Sequence, residues 1–471
     1  MKKILALLAV VFLLLSGAAL AEEALPDGVY EPAAFTFTGG SGKITITCAQ
    51  VEVKDGKAWA TLVFSSPNYG YVKLDGVEYE GSHTEDSSTF VVPAPLERSF
   101  TLTGMTTAMS RPHEIDYELC IRLSADAAAL PGLEYVSSLQ LDYAECFSVD
   151  YYEGGYALVA VTDGRRYLVV PEGKEPPEGL DPAIFVLQKP LDRVYMAASA
   201  VMSLYARLDA VDSVRFSALK EEDWTVPAAA EAMQRGEMLF GGKYSEPVYE
   251  LLVKEDCCLA VESTMILHTP KVQEMIEMLG IPVLIDRSSY ESEPLGRTEW
   301  IKLYGLLTDR EDEAARFFAE QAAAVEALRG CGDTGKTVAF FYINTDGSAV
   351  VRSGDDYIAR CVEIAGGTYA FADLESSRST VTLSMEEFYA KASDVDCLIY
   401  NTSIDTELEG VDDLVERSPL FRNFAAVQSG NVWRADHTLY QATDTVGSLI
   451  VDLSRMLQGE TDGMTFLTKM E

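Results

Sequence analysis

From Leu133 to Leu457 short apolar runs alternate with helical stretches, and the same order recurs on both sides of one Ala-rich segment at 297–330. Before that segment, strands near Val194–Ala197, Cys258–Val261 and Pro282–Ile285 interleave with helices near Ala200–Leu208, Pro247–Lys254 and Pro270–Leu279. After it, strands near Val338–Ile343, Cys397–Tyr400 and Val432–Arg434 interleave with helices near Asp356–Ile364, Ser384–Ala392 and Asp444–Leu457. Strands separated by helices run parallel, because each connection must cross over the sheet. The expected fold class is α/β, with a first Rossmann-like lobe at 133–296, one long interlobe helix at 297–330 and a second lobe at 335–471.

The chain ahead of these lobes has a different period. Residues 24–125 carry two-residue alternation, as in Lys43–Thr47 and Ala58–Phe64, broken by Gly, Pro, Asn and Asp clusters. That pattern predicts a small antiparallel β-sandwich. Residues 1–21 read as an export signal, with Lys2 and Lys3, an apolar run from Leu5 to Leu15, and Ala19-Leu20-Ala21 as a small-x-small cleavage site. Leu15-Ser16-Gly17 is like the start of a lipid-attachment box, but the acceptor position holds Ala18. An exported protein without that anchor is expected, periplasmic or at the cell surface.

Charge narrows the partners. The 471 residues hold 37 Lys+Arg against 74 Asp+Glu, a net charge of −37. Nucleic acid is excluded as a partner, since a binder must neutralise phosphates with Lys and Arg. An anionic membrane surface is disfavoured for the same reason. Eight Cys at 48, 120, 146, 257, 258, 331, 361 and 397 include no CxxC, and five lie in apolar runs. They are expected to be mostly free thiols. The four His have no metal-ligand spacing, so no metal site is expected.

Gly330–Thr337 spells GxxxxGK[ST], yet a helix precedes it and a strand follows. A phosphate-binding loop needs the opposite order, so the segment reads as a helix-to-strand turn. Neither GxSxG nor HExxH is present, and no catalytic residue is assigned; the chain does not read as an enzyme.

In open parallel sheets, ligands bind beyond the carboxyl ends of the strands. Those positions carry Met265, Arg287, Tyr290, Arg297, Tyr342, Arg352, Asn401, Trp433 and Arg434. Arginines there can receive an anion and aromatic rings can face a planar one. Surface ion pairs with the abundant acids are the competing reading.

Five features together resemble the class III substrate-binding proteins of ABC importers, which bind ferric siderophores, haem or vitamin B12. They are the paired lobes about a long helix, Glu250–Val261, Gly280-Ile281-Pro282-Val283, Leu295-Gly296-Arg297-Thr298-Glu299-Trp300 and Ala365-Gly366-Gly367. In Glu250–Val261 the family's Pro-Asp pair is replaced by Cys257-Cys258. The resemblance implies a monomeric receptor with no intrinsic cofactor, carrying a ferric chelate, haem or cobalamin to an ABC importer permease. It implies permease docking through one glutamate per lobe, Glu250 and Glu386. Ser384-x-x-Glu387 is also a capping box, which accounts for Glu387 and leaves Glu386 free. The β region more weakly resembles accessory or haem-binding sandwich domains of iron-uptake proteins. An alternative follows, a surface haem-binding or adhesion protein whose β domain binds and whose lobes are scaffold.

Overall fold

The computed structural model describes residues 28–471 apart from 31, 33, 41–43, 55–56, 75, 85, 97–98, 108–112, 123–129, 329–331, 375, 377–378 and 406–407. Residues 1–21, read from sequence as an export signal, and Cys331 lie outside the described residues. The chain divides into two compact units, Met1–Ala125 and Asp126–Glu471.

The first unit is a sandwich of two antiparallel five-stranded sheets. One has Gly28–Tyr30, Ile46–Lys54, Lys57–Phe64, Ser88–Pro93 and Ser82–His83 as neighbours in that order. The other runs Ala34–Gly39, His113–Arg122, Ser99–Thr106, Tyr69–Leu74, Val77–Glu80. Alternation turns Ala60, Leu62 and Phe64 inward and leaves Trp59 at the surface. Tyr69 and Tyr117 meet in the core with hydroxyls 2.7 Å apart.

The second unit begins with a five-stranded sheet, Tyr135–Ser138, Phe147–Tyr152, Tyr156–Val161, Arg166–Val170 and Ile184–Gln188, antiparallel except for its last pair. The first lobe thus carries a sheet of its own beside the parallel one. The parallel sheet has the order Leu239–Phe240, Val214–Ser217, Val194–Met196, Leu259–Ser263, Val283–Asp286. In the second lobe Thr337–Ile343, Cys397–Asn401 and Val432–Ala435 are parallel neighbours. Ala349–Arg352 and Thr380–Leu383 extend one edge antiparallel, and Leu467–Lys469 closes the other.

The stretch expected as one helix at 297–330 is helical in three pieces, Pro294–Glu299, Ile301–Thr308 and Glu311–Glu326. Asp309 breaks it at φ 57°, a left-handed conformation that Asp tolerates better than most residues. The break folds the second piece against the third. Gly305 permits that approach, since a Cβ there would stand 2.7 Å from the Ala314 Cβ.

The motif at 295–300 is explained residue by residue. Glu299 is fully buried and accepts backbone N–H bonds from Asp142, Tyr143 and Ala144 at 2.7–3.1 Å and one from Lys302 Nζ at 2.6 Å. Trp300 donates to Glu291 at 2.7 Å, and Glu291 accepts from the amides of Glu145 and Cys146. A Cβ at Gly296 would stand 3.0 Å from the Tyr143 carbonyl, so the loop and helix touch backbone to backbone. Thr298 donates to the Thr443 carbonyl at 2.8 Å.

The seven described cysteines are all free. Burial raises the thiols of Cys48 and Cys397 to about 11 and those of Cys146 and Cys257 to about 12.

Removing the buried carboxylate strands three amides and leaves Lys302 to the Gln140 carbonyl at 3.0 Å and Asp142 at 3.8 Å. Glu299→Ala is expected to destabilise the second unit by about 3–5 kcal/mol. Urea unfolding followed by circular dichroism measures this, and a loss below about 1 kcal/mol would mean the loop holds itself.

Candidate functional site

The site begins at the carboxyl ends of the second-lobe strands. Arg352 ends the strand Ala349–Arg352, and its backbone is pinned by Tyr369, whose hydroxyl accepts from Arg352 N and donates to Arg352 O, each at 3.0 Å. Its guanidinium donates to the Tyr440 hydroxyl, reaches Ser379 Oγ at 3.4 Å, and lies 3.5 Å from Asp356 Oδ2. Asn401, the last residue of Cys397–Asn401, is held by Ser403 N on its Oδ1 and donates Nδ2 to the same Tyr440 oxygen at 2.6 Å. The phenol oxygen of Tyr440 therefore receives two donors. Burial raises the phenol's pKa while Arg352 opposes that rise. The neutral hydroxyl keeps one proton to offer outward.

Arg297 reaches this group from the connecting helix. Its guanidinium lies 4.1 Å from the centre of the Tyr357 ring, and its Nε is buried without a partner. Arg297, Tyr357, Tyr440, Thr443, Thr445 and Leu439 line a cavity of about 20 Å³, enough for one water. Asp356 caps the helix Tyr357–Ile364 through Ile358 N at 3.0 Å and so fixes the Tyr357 ring.

A second group lies at the first-lobe strand ends. The Arg287 guanidinium stands 4.4 Å from the Tyr290 ring centre, with its Nε buried and unpartnered. Tyr290 is about half exposed, as are Met265 and Leu267 in the turn after Leu259–Ser263. These exposed apolar side chains follow consecutive strands of one sheet.

Of the residues picked from sequence, Arg297, Arg352 and Asn401 thus converge, and Met265, Arg287 and Tyr290 lie at neighbouring strand ends. Tyr342 and Arg434 are half-buried and make no side-chain hydrogen bond or ion pair among the described residues. Trp433 is corrected: it is 1% exposed on the strand Val432–Ala435, its Nε1 donating to Asn431 at 3.3 Å, so it is core rather than cleft. Strand alternation places it there, since Val432–Ala435 is an inner strand covered on both faces. Tyr357 and Tyr440 were missed. Each lies just beyond a strand-to-helix turn, the same position that picked out the others.

Glu250 and Glu386 are exposed in the first turns of the helices Tyr249–Lys254 and Met385–Ala392. The capping box forms, with Ser384 and Glu387 each accepting from the other's backbone N–H, and it leaves Glu386 outside.

With this geometry in view, residues 263–439 match the family model described as periplasmic binding protein. That segment of the second unit is similar to periplasmic binding proteins. The match runs from the strand end before Met265 to the residue before Tyr440, and takes in both basic groups. Curated relatives include two uncharacterized lipoproteins of Methanocaldococcus jannaschii. One is 24% identical over 358 residues, 70% of this chain and 82% of the relative. The other is 22% identical over 345 residues, 68% of this chain and 83% of the relative. Similar solved structures include a periplasmic binding protein from Veillonella parvula, at TM-score 0.48 and 16% identity, covering 57% of this chain and 91% of that one. A periplasmic heme binding protein of Vibrio cholerae aligns at TM-score 0.46 and 18% identity, covering 56% and 97%.

One buried acid in the second unit stands apart. Glu262, near the end of the strand Leu259–Ser263, is fully buried and neither carboxyl oxygen has a partner. Burial alone raises its pKa well above the ordinary value. The folded state holds a proton that the unfolded chain releases, so stability is full below the ordinary glutamic-acid range and is lost as pH rises through the raised pKa. Glu262→Gln removes that dependence. Thermal midpoints of the two proteins should be closest at acid pH and diverge in favour of the variant as pH rises; parallel curves would contradict the assignment.

Proposed function

We propose that the chain is an exported, non-catalytic solute receptor that holds a small anionic ligand between its lobes and delivers it to an ABC importer permease. The observation that carries this is the convergence of Arg297, Arg352, Asn401 and Tyr440 at strand carboxyl ends in a chain of net charge −37. Arg297 and Arg287 make no ion pair among the described residues, although carboxylates outnumber cations two to one. Guanidiniums with no carboxylate in direct contact suit a ligand that brings its own carboxylates or other anionic oxygens, and Arg352 shares its charge with Asp356 at 3.5 Å. The exposed faces of Met265 and Tyr290 suit a partly apolar or planar body. An iron chelate with an anionic chelator, or a tetrapyrrole with carboxylate arms, combines both. The iron is cargo, held by its chelator.

Glu250 and Glu386 are proposed as the permease contacts, one per lobe, because each is exposed at a helix start and free of a structural role. Two-point contact between carboxylates and basic groups would fix orientation. The β-sandwich is proposed as an accessory domain, the receptor as a monomer, and export through residues 1–21 as its route.

Calorimetric titration of the full chain with haemin, cobalamin and a panel of ferric siderophores tests the reading. Saturable binding of an anionic member is expected. Arg352→Ala and Arg297→Ala should each weaken it about 10- to 100-fold, the worth of one charged hydrogen bond. Flat titrations throughout, or affinity unchanged in Arg352→Ala, would overturn it.

A further inference from the structure

We propose that residues 439–445 form a strap tying the two lobes together through Gln441, and that Tyr440 couples the ligand-facing group to that tie. The strap leaves the strand Val432–Ala435 and passes through two tight turns, Leu439–Gln441 and Thr443–Thr445, before the helix Val446–Gln458. Although it belongs to the second lobe, Gln441 turns its carboxamide to the first. Its Oε1 accepts from Thr225 N at 3.0 Å and its Nε2 donates to the Asp223 carbonyl at 2.9 Å. Those two residues flank Trp224, which is buried and donates to Ser217 Oγ at 3.0 Å. Ser217 ends a strand of the first-lobe parallel sheet, so the amide contact is anchored in that sheet.

The strap is held at further points. Thr443 accepts from Thr298 of the connecting helix. Asp444 pairs with Arg207 of the first-lobe helix Val201–Arg207 at 2.9 Å, and its amide donates to Ser203 Oγ at 3.3 Å. Beyond the connecting helices, this is a second crossing between lobes, made of side chains.

Tyr440 is the neighbour of Gln441 in the same turn, and its hydroxyl contacts are with Arg352 and Asn401 in the second lobe. Adjacent residues therefore face opposite lobes. A ligand that draws Arg352 away from Tyr440 frees the residue next to the interlobe tie. This coupling rests on the receptor reading of the cleft, but its test uses no ligand.

Hydrogen exchange by mass spectrometry on the full chain, as wild type, Gln441→Ala and Tyr440→Phe, decides it. Gln441→Ala is expected to speed exchange in segment 221–226 about tenfold, the loss of two hydrogen bonds of modest net worth. Tyr440→Phe deletes contacts made within the second lobe, yet is expected to speed the same first-lobe segment severalfold. Unchanged exchange at 221–226 in Gln441→Ala would overturn the tie. A rise there without one in Tyr440→Phe would overturn the coupling. Strand Tyr156–Val161 reports global loosening. If it also speeds up, Gln441→Glu becomes decisive, since it keeps the acceptor for Thr225 and loses the donor to Asp223. An intermediate rate at 221–226 upholds the tie, and a rate equal to wild type overturns it. Failure of every calorimetric probe to bind would leave these rates as they are, so strap and receptor stand or fall separately.

Discussion

A carboxylate sealed inside the protein organises the second unit. Glu299 gathers three consecutive backbone amides from the loop before Phe147–Tyr152 and one ammonium from the next helical piece, Ile301–Thr308. In the dry interior such a charge persists only when every lone pair is used, and here it is. The contact fixes the rotation of a six-residue helix. With about 100° between successive residues, Glu299 faces the first lobe, Thr298 faces residue 443 and Arg297 faces Tyr357 of the second lobe. One short helix thereby sets three surfaces at once, and a change at Glu299 would turn Arg297 as well.

The division of the chain into β and α/β regions is legible in sequence because it rests on period, and period survives without context. Alternation of two in Ala58–Phe64 and strand–helix alternation beyond Val194 each demand their own architecture. The break at Asp309 was hidden because the segment around it has strong helix formers, and the αL turn pays off only through the close packing of Gly305 on Ala314. The site was half legible. Arginines at strand ends stood out in an acidic chain, whereas Tyr440 gains its place from Arg352 and Asn401, which are 88 and 39 residues away in sequence. Trp433 misled because a strand end and an inner strand face look alike in a short apolar run.

For the proposed anionic ligand, the acidic character of the chain and the guanidiniums at the strand ends would work in opposite directions. Long-range field disfavours an approaching anion, while the desolvated guanidiniums favour it strongly at contact. Such an arrangement selects by fit at short range over capture at a distance. Under that proposal affinity would rise with salt over the range where bulk repulsion is screened and the buried contacts are not.

The buried thiols bear on chemistry of another kind. A thiol with a pKa of about 11 or 12 is almost never a thiolate at neutral pH, and the thiolate is the reactive form. Native contacts therefore keep these cysteines out of disulfide exchange once the fold is reached. The architecture of the described residues uses no covalent cross-link. A single cysteine engineered on the surface would ionise far more readily than these four buried and half-buried thiols, which makes the protein a ready scaffold for an attached reporter.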